Sequence, residues 1–339
     1  MGSLCGLGVV VRTRADELFL ARLTPTVSVI PTDGKTFSRT KTLVLDRTNG
    51  AAVYWISESR LVRRLVDLDG KFGNLEVLAM DASDGYAPRG ARSTGGPADE
   101  RQDVVAYVAQ KKSSDGDRRA RLFVERKATM DLSEEGGGAS SLTLTAVGER
   151  RFVAAWLDAR SALAPVHGRS IELDAAGEAQ LGKENVPWIA PPSENFLDLA
   201  AVKSDQNVVA MLAVGKNATE FGLAAGPVQL AGPPRDGVTW LDYANGVEPA
   251  VVVSGRLCGL PAVAFAEPVD KSVTSARVVT LGTIDDDGVV TRHLEVFRGA
   301  RIDHLDLWAN GAALAGGDGA LLAAIDGRTV VKRVHCKKP

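Results

Sequence analysis

The clearest structural signal in the chain is a pair of short β-type runs joined by a polar turn. It reads Leu142-Thr143-Leu144, then Gly148-Glu149, then Phe152-Val153-Ala154-Ala155-Trp156. The first run alternates apolar and polar residues, which places one side of a strand against a core. The second run is almost continuously apolar, which indicates a strand packed on both faces. The stretch therefore predicts an antiparallel hairpin with a buried second strand.

The same pattern returns along the chain. Each copy has a Leu-x-Leu type strand, a polar turn and a strand of small and β-branched residues, and further copies begin at Leu43, Leu197, Leu241 and Leu305. The starts lie about 45 to 65 residues apart, with one double-length gap in which we expect a divergent copy around residues 104–124. A repeat of roughly 40 to 50 residues with four strands is typical of a propeller blade.

The repeat predicts an all-β chain. Adding an N-terminal unit gives a β-propeller of about seven four-stranded blades, with six or eight also open. We expect one domain over residues 1–339, closed by its N- and C-terminal strands. Tandem β-sandwiches are the alternative, and they would show cleaner alternation along their strands.

Turn residues between the runs support hairpins. Asn49-Gly50, Asp69-Gly70, Asp287-Gly288 and Asp326-Gly327 all follow or separate apolar runs. Such pairs tolerate the positive φ of tight turns, because glycine has no Cβ and Asn or Asp stabilises the bend locally.

One unit carries a family resemblance. Phe152 to Arg160 ends in Trp156-Leu157-Asp158-Ala159-Arg160, and the run from Arg169 ends in Asp174-Ala175-Ala176-Gly177. This resembles a blade of bacterial extracellular β-propellers. The resemblance implies the fold and export from the cytoplasm, but no activity, since propellers host both binding modules and enzymes.

A second resemblance is weaker. Residues 33–37 and 236–240 share the order Asp-Gly-x-Thr-aromatic, which is similar to the Asp-box of sialidase-type propellers but one residue short. That box is a turn remote from the chemistry of the family, and the catalytic arginine trio is not assignable here. The similarity supports the fold and not sialidase activity.

The net charge and the hydropathy pattern limit the classes of partner that we expect. The chain has 40 basic and 42 acidic residues, for a net charge of −2, which predicts no nucleic-acid partner. No run approaches the roughly 20 apolar residues that span a bilayer. No signal-peptide pattern follows Met1. We expect an extracytoplasmic or secreted protein, a cytoplasmic one being the alternative, and a monomer.

The three cysteines, Cys5, Cys258 and Cys336, lie too far apart for a Cys-x-x-Cys motif. Cys5 and Cys336 sit near opposite ends of the chain, and a propeller brings its ends together. A disulfide between them would lock the closure and indicate an oxidising compartment. Three unpaired thiols are the alternative.

Acidic residues recur in the Leu-Asp-Leu/Tyr segments. Asp198, Asp242 and Asp306 occupy the same place in three predicted units. They could form a ring of carboxylates around a central channel, or they could accept backbone N–H groups from neighbouring blades. His304 alternates with Asp306 on one strand, so the two could hold a metal ion. The alternative is a hydrogen-bonded pair that ties strand to turn.

Loops carry function in such folds. The longest irregular stretches are residues 81–100, with Tyr86, Arg89 and Arg92, and residues 187–194, with Trp188 beside Pro191 and Pro192. An exposed Trp188 could stack on a sugar or a peptide. A tryptophan that caps the core is the equal alternative.

No nucleophile elbow, P-loop or His-Glu-x-x-His motif is present, and no cofactor is implied. The sequence therefore favours a binding or scaffolding propeller that recognises a protein or glycan through loops on one face. The alternative is a carbohydrate-active hydrolase or lyase that uses carboxylates at the central channel.

Overall fold

A computed structural model describes most of the chain. The described residues are 2–4, 7–14, 17–22, 28–30, 42–67, 69–110, 117–134, 138–158, 160, 165–189, 195–215, 221–232, 235–236, 238–243, 253–269, 276–300, 302–309, 319–326, 328–334 and 336. Within these residues every regular element is a β-strand. No helix in the described part is long and apolar enough to cross a membrane.

The first three sheets are four-stranded and follow one another in the sequence. Sheet 1 contains β1 (Gly2–Leu4), β2 (Leu7–Arg14), β3 (Glu17–Arg22) and β4 (Ser28–Ile30). Sheet 2 contains β5 (Leu43–Arg47), β6 (Gly50–Ser57), β7 (Arg60–Val66) and β8 (Glu76–Ala79). Sheet 3 contains β9 (Arg89–Arg92), β10 (Asp103–Gln110), β11 (Arg118–Val124) and β12 (Met130–Asp131). In each, consecutive strands pair antiparallel.

Sheet 4 is larger. It contains β13 (Ala139–Ala146), β14 (Arg151–Asp158), β15 (Pro165–Leu173), β16 (Ala179–Leu181), β17 (Asn185–Ile189) and β21 (Arg235–Asp236). The end of β15 pairs with β16, and its beginning pairs with β17. Strand β21 pairs parallel to β17.

The remaining sheets return to the simple antiparallel order. Sheet 5 contains β18 (Asn195–Lys203), β19 (Val208–Gly215), β20 (Phe221–Pro227) and β22 (Val238–Tyr243). Sheet 6 contains β23 (Val253–Leu257), β24 (Leu260–Pro268), β25 (Arg277–Ile284) and β26 (Val290–Gly299). Sheet 7 contains β27 (Ile302–Ala309), β28 (Gly319–Ile325) and β29 (Arg328–Val334).

The chain divides into two compact units. Unit 1 comprises residues 1–154 and 170–182, and unit 2 comprises residues 155–169 and 183–339. In unit 1 the first strands of successive sheets, β1, β5, β9 and β13, contact one another in turn, and in unit 2 β18, β23 and β27 do the same. Sheets that run as antiparallel meanders and meet at their first strands are propeller blades. The all-β, β-propeller prediction is confirmed, and the described residues contain seven sheets. Closure by the terminal strands stays a prediction.

Burial explains why the second strands are so apolar. In β6, Val53 and Trp55 pack into one cluster, whereas Tyr54 and Ile56 pack into another with residues of sheet 3. Alternate side chains point to opposite faces of a strand, so a strand between two cores needs apolar residues at every position. The continuous runs in β10 and β14 are buried in the same way.

A close approach requires glycine at the β5–β6 turn. Gly50 has a φ of 143°, and a Cβ there would lie 1.9 Å from the carbonyl oxygen of Val66. Any side chain would therefore displace β7, whose last residue is Val66. A hairpin turn lies here as predicted, but one position earlier: Arg47 pairs with Gly50, so Thr48 and Asn49 form the turn and Gly50 begins β6.

One predicted repeat is wrong in its register. The copy beginning at Leu241 was expected to open a blade, but Leu241 lies in β22, the fourth strand of sheet 5. The next sheet opens at Val253, and its first hairpin turns at Cys258 and Gly259. First and fourth strands share alternating polarity, so periodicity alone does not tell one from the other.

The cysteine pairing also differs from the expected one. Cys336 is bonded to Cys258, with their Cα atoms 5.4 Å apart. The bond joins the β23–β24 turn to the residue that follows the last strand by two positions. Cys5 lies outside the described residues. The expected Cys5–Cys336 bridge is replaced because sheets 6 and 7 contact each other and bring Cys258 within bonding range.

Candidate functional site

A cluster of charged side chains lies inside unit 1 between sheets 2 and 3. Asp103 begins β10, and Glu125 directly follows β11, where its backbone N–H donates to the carbonyl of Asp103 over 2.9 Å. Arg47 and Arg92 end β5 and β9, and Arg92 pairs in register with Asp103. Strand ends therefore deliver charges of both signs to one place. We call Arg47, Arg63, Arg92, Asp103, Glu125 and Tyr54 the ionic cluster.

Hydrogen bonds saturate Asp103. Its Oδ2 accepts from Arg47 Nη2 at 2.7 Å and from the Tyr54 hydroxyl at 2.6 Å. Its Oδ1 accepts from Arg92 Nη1 at 2.6 Å. Asp103 is 0% exposed, so two guanidinium groups and one hydroxyl replace the water that a buried carboxylate would otherwise need.

Glu125 is held in the same manner. Its Oε1 accepts from Arg47 Nη2 at 2.5 Å and from Arg63 Nη1 at 2.9 Å. Arg63 also donates to Glu76 Oε2 at 2.6 Å. Three guanidinium groups thus enclose two buried acids.

The cluster fixes its protonation states. Burial raises the pKa of Glu125, but the hydrogen bond and charge of Arg47 and the charge of Arg63 outweigh it, so this pKa lies below its ordinary value. Burial and the neighbouring Asp103 charge raise the pKa of Tyr54 above its ordinary value. Glu125 therefore stays ionised and Tyr54 stays a hydrogen-bond donor. Neither group is prepared for general acid–base work at neutral pH.

Two clefts open beside the cluster, both within unit 1. Cleft 1 has a volume of about 390 Å³ and is lined by Arg47, Thr48, Asn49, Ala51, Leu65, Val66, Arg92, Ala98, Asp99 and Arg126. Cleft 2 has a volume of about 220 Å³ and is lined by Ser93, Glu100, Gln102, Arg126, Lys127, Arg150, Leu173, Ala175, Ala176 and Gly177. Arg126 lines both, so the clefts adjoin.

Arg126 stands between the clefts on the β11–β12 turn. Its backbone has a φ of 67°, a left-handed conformation that is uncommon for a non-glycine residue. Its Nη2 donates to the carbonyl of Asp99 at 3.4 Å, and it makes no ion pair with any acid in the described part of the chain. Its charge is therefore available to a ligand.

Hydrogen bonds from Gln102 connect two sides of cleft 2. The buried Gln102 side chain donates from Nε2 to the carbonyls of Glu125 at 3.0 Å and Gly177 at 3.3 Å. A Cβ on Gly177, whose φ is 78°, would lie 2.1 Å from Gln102 Oε1. The glycine of the Asp-Ala-Ala-Gly turn is thus needed for this contact, which joins sheet 3 to the β15–β16 turn.

Two loop residues expected to bind ligand lie at the other end of sheet 3. Arg89 begins β9, whereas Arg92, at the clefts, ends it. Tyr86 accepts a hydrogen bond from Arg118, and that guanidinium also lies 5.4 Å from the tyrosine ring centroid. The structure therefore does not bring Tyr86 and Arg89 to the clefts.

Trp188 is not available for stacking. It lies in β17 with 0% exposure, and a Cβ on Gly226 would lie 3.0 Å from its ring. Its neighbour Pro187 belongs to the same strand, and residues 190–194 lie outside the described part. Burial against the glycine of β20 fits the alternative interpretation, a tryptophan that caps the core. The expectation of an exposed Trp188 that stacks on a ligand is wrong.

The three recurring aspartates do not share one place. Asp198 lies in β18, a first strand, where its Oδ1 accepts the N–H of Leu199 at 3.0 Å. Asp242 lies in β22, the fourth strand of the same sheet, so the expected equivalence is wrong for this residue. Asp306 and His304 lie in first strand β27, and their side chains are outside the described part.

The metal hypothesis for His304 and Asp306 therefore stays a prediction. Among the described residues no group of three or more His, Cys, Asp or Glu side chains could hold a metal ion.

Sequence reasoning identified the 81–100 stretch and Arg92, which border the clefts, but missed the ionic cluster and the other lining residues. Arg47, Arg92, Asp103, Glu125 and Arg126 lie up to 79 positions apart and match no motif. The available signal was local: Asp103 and Glu125 each adjoin a continuous apolar run, and a charge next to a fully buried strand requires a partner.

No protein-family model matches the sequence, and no curated protein matches it. Solved structures give distant likenesses. The protein AofleA from Arthrobotrys oligospora is 9% identical, with a TM-score of 0.47 over 88% of this chain and 87% of that one. The subtype N10 neuraminidase-like protein of A/little yellow-shouldered bat/Guatemala/060/2010 is 11% identical, with a TM-score of 0.47 over 96% of each chain.

A thermostable family-43 glycoside hydrolase is 11% identical, with a TM-score of 0.43 over 75% of this chain and 92% of that one. At these identities and TM-scores the likenesses carry no argument about this chain. The fold assignment rests on its own strands and their pairing.

Proposed function

We propose that the protein is a binding module that recognises a glycan through the loops bordering clefts 1 and 2. The carrying observation is the pair of adjoining clefts, in which the ionic cluster positions Arg47 and Arg92 and Gln102 is fixed by two backbone carbonyls. Pre-positioned polar groups bind a hydroxyl-rich ligand with little loss of side-chain entropy.

The buried acids beside the clefts favour binding over catalysis. A glycosidase needs one carboxylic acid with a raised pKa and a second carboxylate that faces the sugar. Glu125 has a lowered pKa, and Asp103 is enclosed by Arg47, Arg92 and Tyr54. These two carboxylates serve to position the arginines that line cleft 1.

The cell location belongs to the same proposal. The Cys258–Cys336 disulfide supports an oxidising, extracytoplasmic compartment, where such bonds persist. We further propose a monomer whose terminal strands close a single domain. Sedimentation would give the oligomeric state, and calorimetric unfolding in one cooperative transition would support a single domain.

The test is a screen of immobilised glycans with product analysis of every hit. We expect binding without turnover, and we expect Arg126→Asn to weaken it, because asparagine tolerates the left-handed turn while removing the charge. Arg119→Gln is the matched control, because this substitution also removes one arginine. Arg119 lies near the beginning of β11, whereas Arg126 follows the end of that strand. Release of sugar products, or binding unaffected by Arg126→Asn, would overturn the proposal.

A further inference from the structure

The two clefts adjoin at Arg126, and we call the surface that they form together the furrow. Asp99 lines cleft 1 and Glu100 lines cleft 2, so the β9–β10 connection borders both, and Arg126 faces both from the other side. The hydrogen bond from Arg126 to the carbonyl of Asp99 is long, at 3.4 Å, and exposed, so a ligand that occupies both clefts can replace it. A ligand longer than one sugar ring could therefore lie across both clefts.

The furrow is basic although the whole chain is slightly acidic. The cationic lining residues are Arg47, Arg92, Arg126, Lys127 and Arg150, and the acidic ones are Asp99 and Glu100. The buried Asp103 and Glu125 compensate the charges of Arg47 and Arg92, so the excess positive charge comes from Arg126, Lys127 and Arg150. Lys127 pairs with Glu178 at 2.5 Å, and Arg150 lies 4.0 Å from Glu100. Such exposed pairs are weak and exchange readily for another anion.

The cations lie along the length of the furrow. Arg47 and Arg92 line cleft 1, Lys127 and Arg150 line cleft 2, and Arg126 lies between them. This arrangement matches a ligand that carries a negative charge on successive units. One isolated anion would engage only part of it.

The lining also favours a saccharide among polyanions. None of the described residues lining the two clefts is aromatic. Single-stranded nucleic acids are bound largely by stacking on aromatic rings, which this lining lacks. Acidic peptides are bound by arginine clusters, so the polyglutamate measurement separates them from an acidic saccharide. A hydroxyl-rich acidic chain needs only the charged and amide groups that this furrow offers.

We propose that the furrow of clefts 1 and 2 binds an acidic polysaccharide, with Arg126 contacting charged groups in both clefts. This inference rests on the proposed function and names its ligand class. The anionic group is a carboxylate, as in a polyuronate, or a sulfate.

The experiment measures binding of polygalacturonate, dextran sulfate and neutral dextran by calorimetry at several salt concentrations. We expect at least one acidic polymer to bind more tightly than dextran, with affinity falling as salt rises. The two acidic polymers distinguish carboxylate from sulfate recognition. Galacturonate oligomers should bind more tightly than the monosaccharide, because only an oligomer reaches both clefts.

Variants assign the site. Arg126→Asn should weaken binding of the preferred polymer about tenfold or more, and Arg150→Gln should weaken it for oligomers but not for the monosaccharide if the monosaccharide occupies cleft 1. Arg119→Gln should leave the affinity within about twofold. Circular dichroism of each variant establishes that it is folded.

Three results overturn the inference. Equal affinity for polyglutamate would make the furrow a general anion site. Unchanged affinity in both Arg126→Asn and Arg150→Gln would place acidic polymers elsewhere. Binding of neutral glycans with no preference for acidic ones would remove the acidic ligand and leave the proposed function standing, whereas no binding of any glycan would remove both.

Discussion

Unit 1 and unit 2 join neighbouring sheets by different chemistry. In unit 1, Arg47 of sheet 2 binds Asp103 and Glu125 of sheet 3 through buried ion pairs of 2.7 and 2.5 Å. In unit 2, a disulfide joins the first hairpin of sheet 6 to the chain end after sheet 7. The first connection depends on the protonation of its members, and the second depends on the redox state of its surroundings.

The difference also concerns how each connection fails. Removing one member of a buried ion cluster leaves its partners charged and without water. The free energy of unfolding therefore falls by more than the ion pair itself contributed. Removing a disulfide chiefly gives back chain entropy to the unfolded state. The ionic connection can additionally orient arginines toward a ligand, which a disulfide cannot do.

The largest effect is expected for Asp103→Asn. This change removes the charge that compensates Arg47 and Arg92, and breaking a buried pair costs about 3–5 kcal/mol. Urea unfolding at neutral pH measures the loss. A change below about 1 kcal/mol would show that the cluster does not hold sheets 2 and 3 together.

Cys336→Ser is expected to cost somewhat less. The disulfide spans 78 positions, and closing such loops typically contributes about 2–4 kcal/mol. The melting temperature should fall under non-reducing conditions. The control is a reducing agent, which should lower the melting temperature of the wild type and leave that of the variant unchanged. A variant that melts at the wild-type temperature under non-reducing conditions would contradict the pairing.

Glu125→Gln probes the pH dependence of the ionic connection. Because folding lowers the pKa of Glu125 below its ordinary value of 4.5, its contribution is complete above that pH and is lost as the pH falls through the folded-state pKa. The stability difference between wild type and variant should therefore shrink on acidification below about pH 4.5. A difference that stays constant or grows there would contradict the ionised state of Glu125.

The smallest effect is expected for Asp81→Asn. Asp81 binds Arg121 at 2.6 Å and accepts from the Tyr107 hydroxyl at 3.3 Å, which repeats the Arg–Asp–Tyr chemistry of the ionic cluster. Its side chain is 29% exposed, so water can replace lost partners and the cost should stay below about 1 kcal/mol. A loss of stability as large as that of Asp103→Asn would show that the difference in burial does not determine the cost of removing each aspartate.

Local patterns predicted the blades because the apolar residues of a short strand show which of its faces are buried. The continuous apolar run ending in Trp156 required a strand packed on both faces, and β14 is buried along nearly its whole length. The same local reasoning failed at Leu241, because a fourth strand alternates like a first one. It also left two interpretations of Trp188 open, exposed or buried, because a short segment with several prolines shows no hydrophobic periodicity.

The sequence by itself determined the all-β class, the repeat and the glycine-dependent turns, because these follow from periodicity and from backbone sterics within a few residues. Only the tertiary structure decided which charges meet: Arg47 and Asp103 are 56 positions apart, and Cys336 bonds Cys258. Such pairings depend on how sheets pack, and burial then decides whether a charge is held by its partners or left facing a ligand, as Arg126 is.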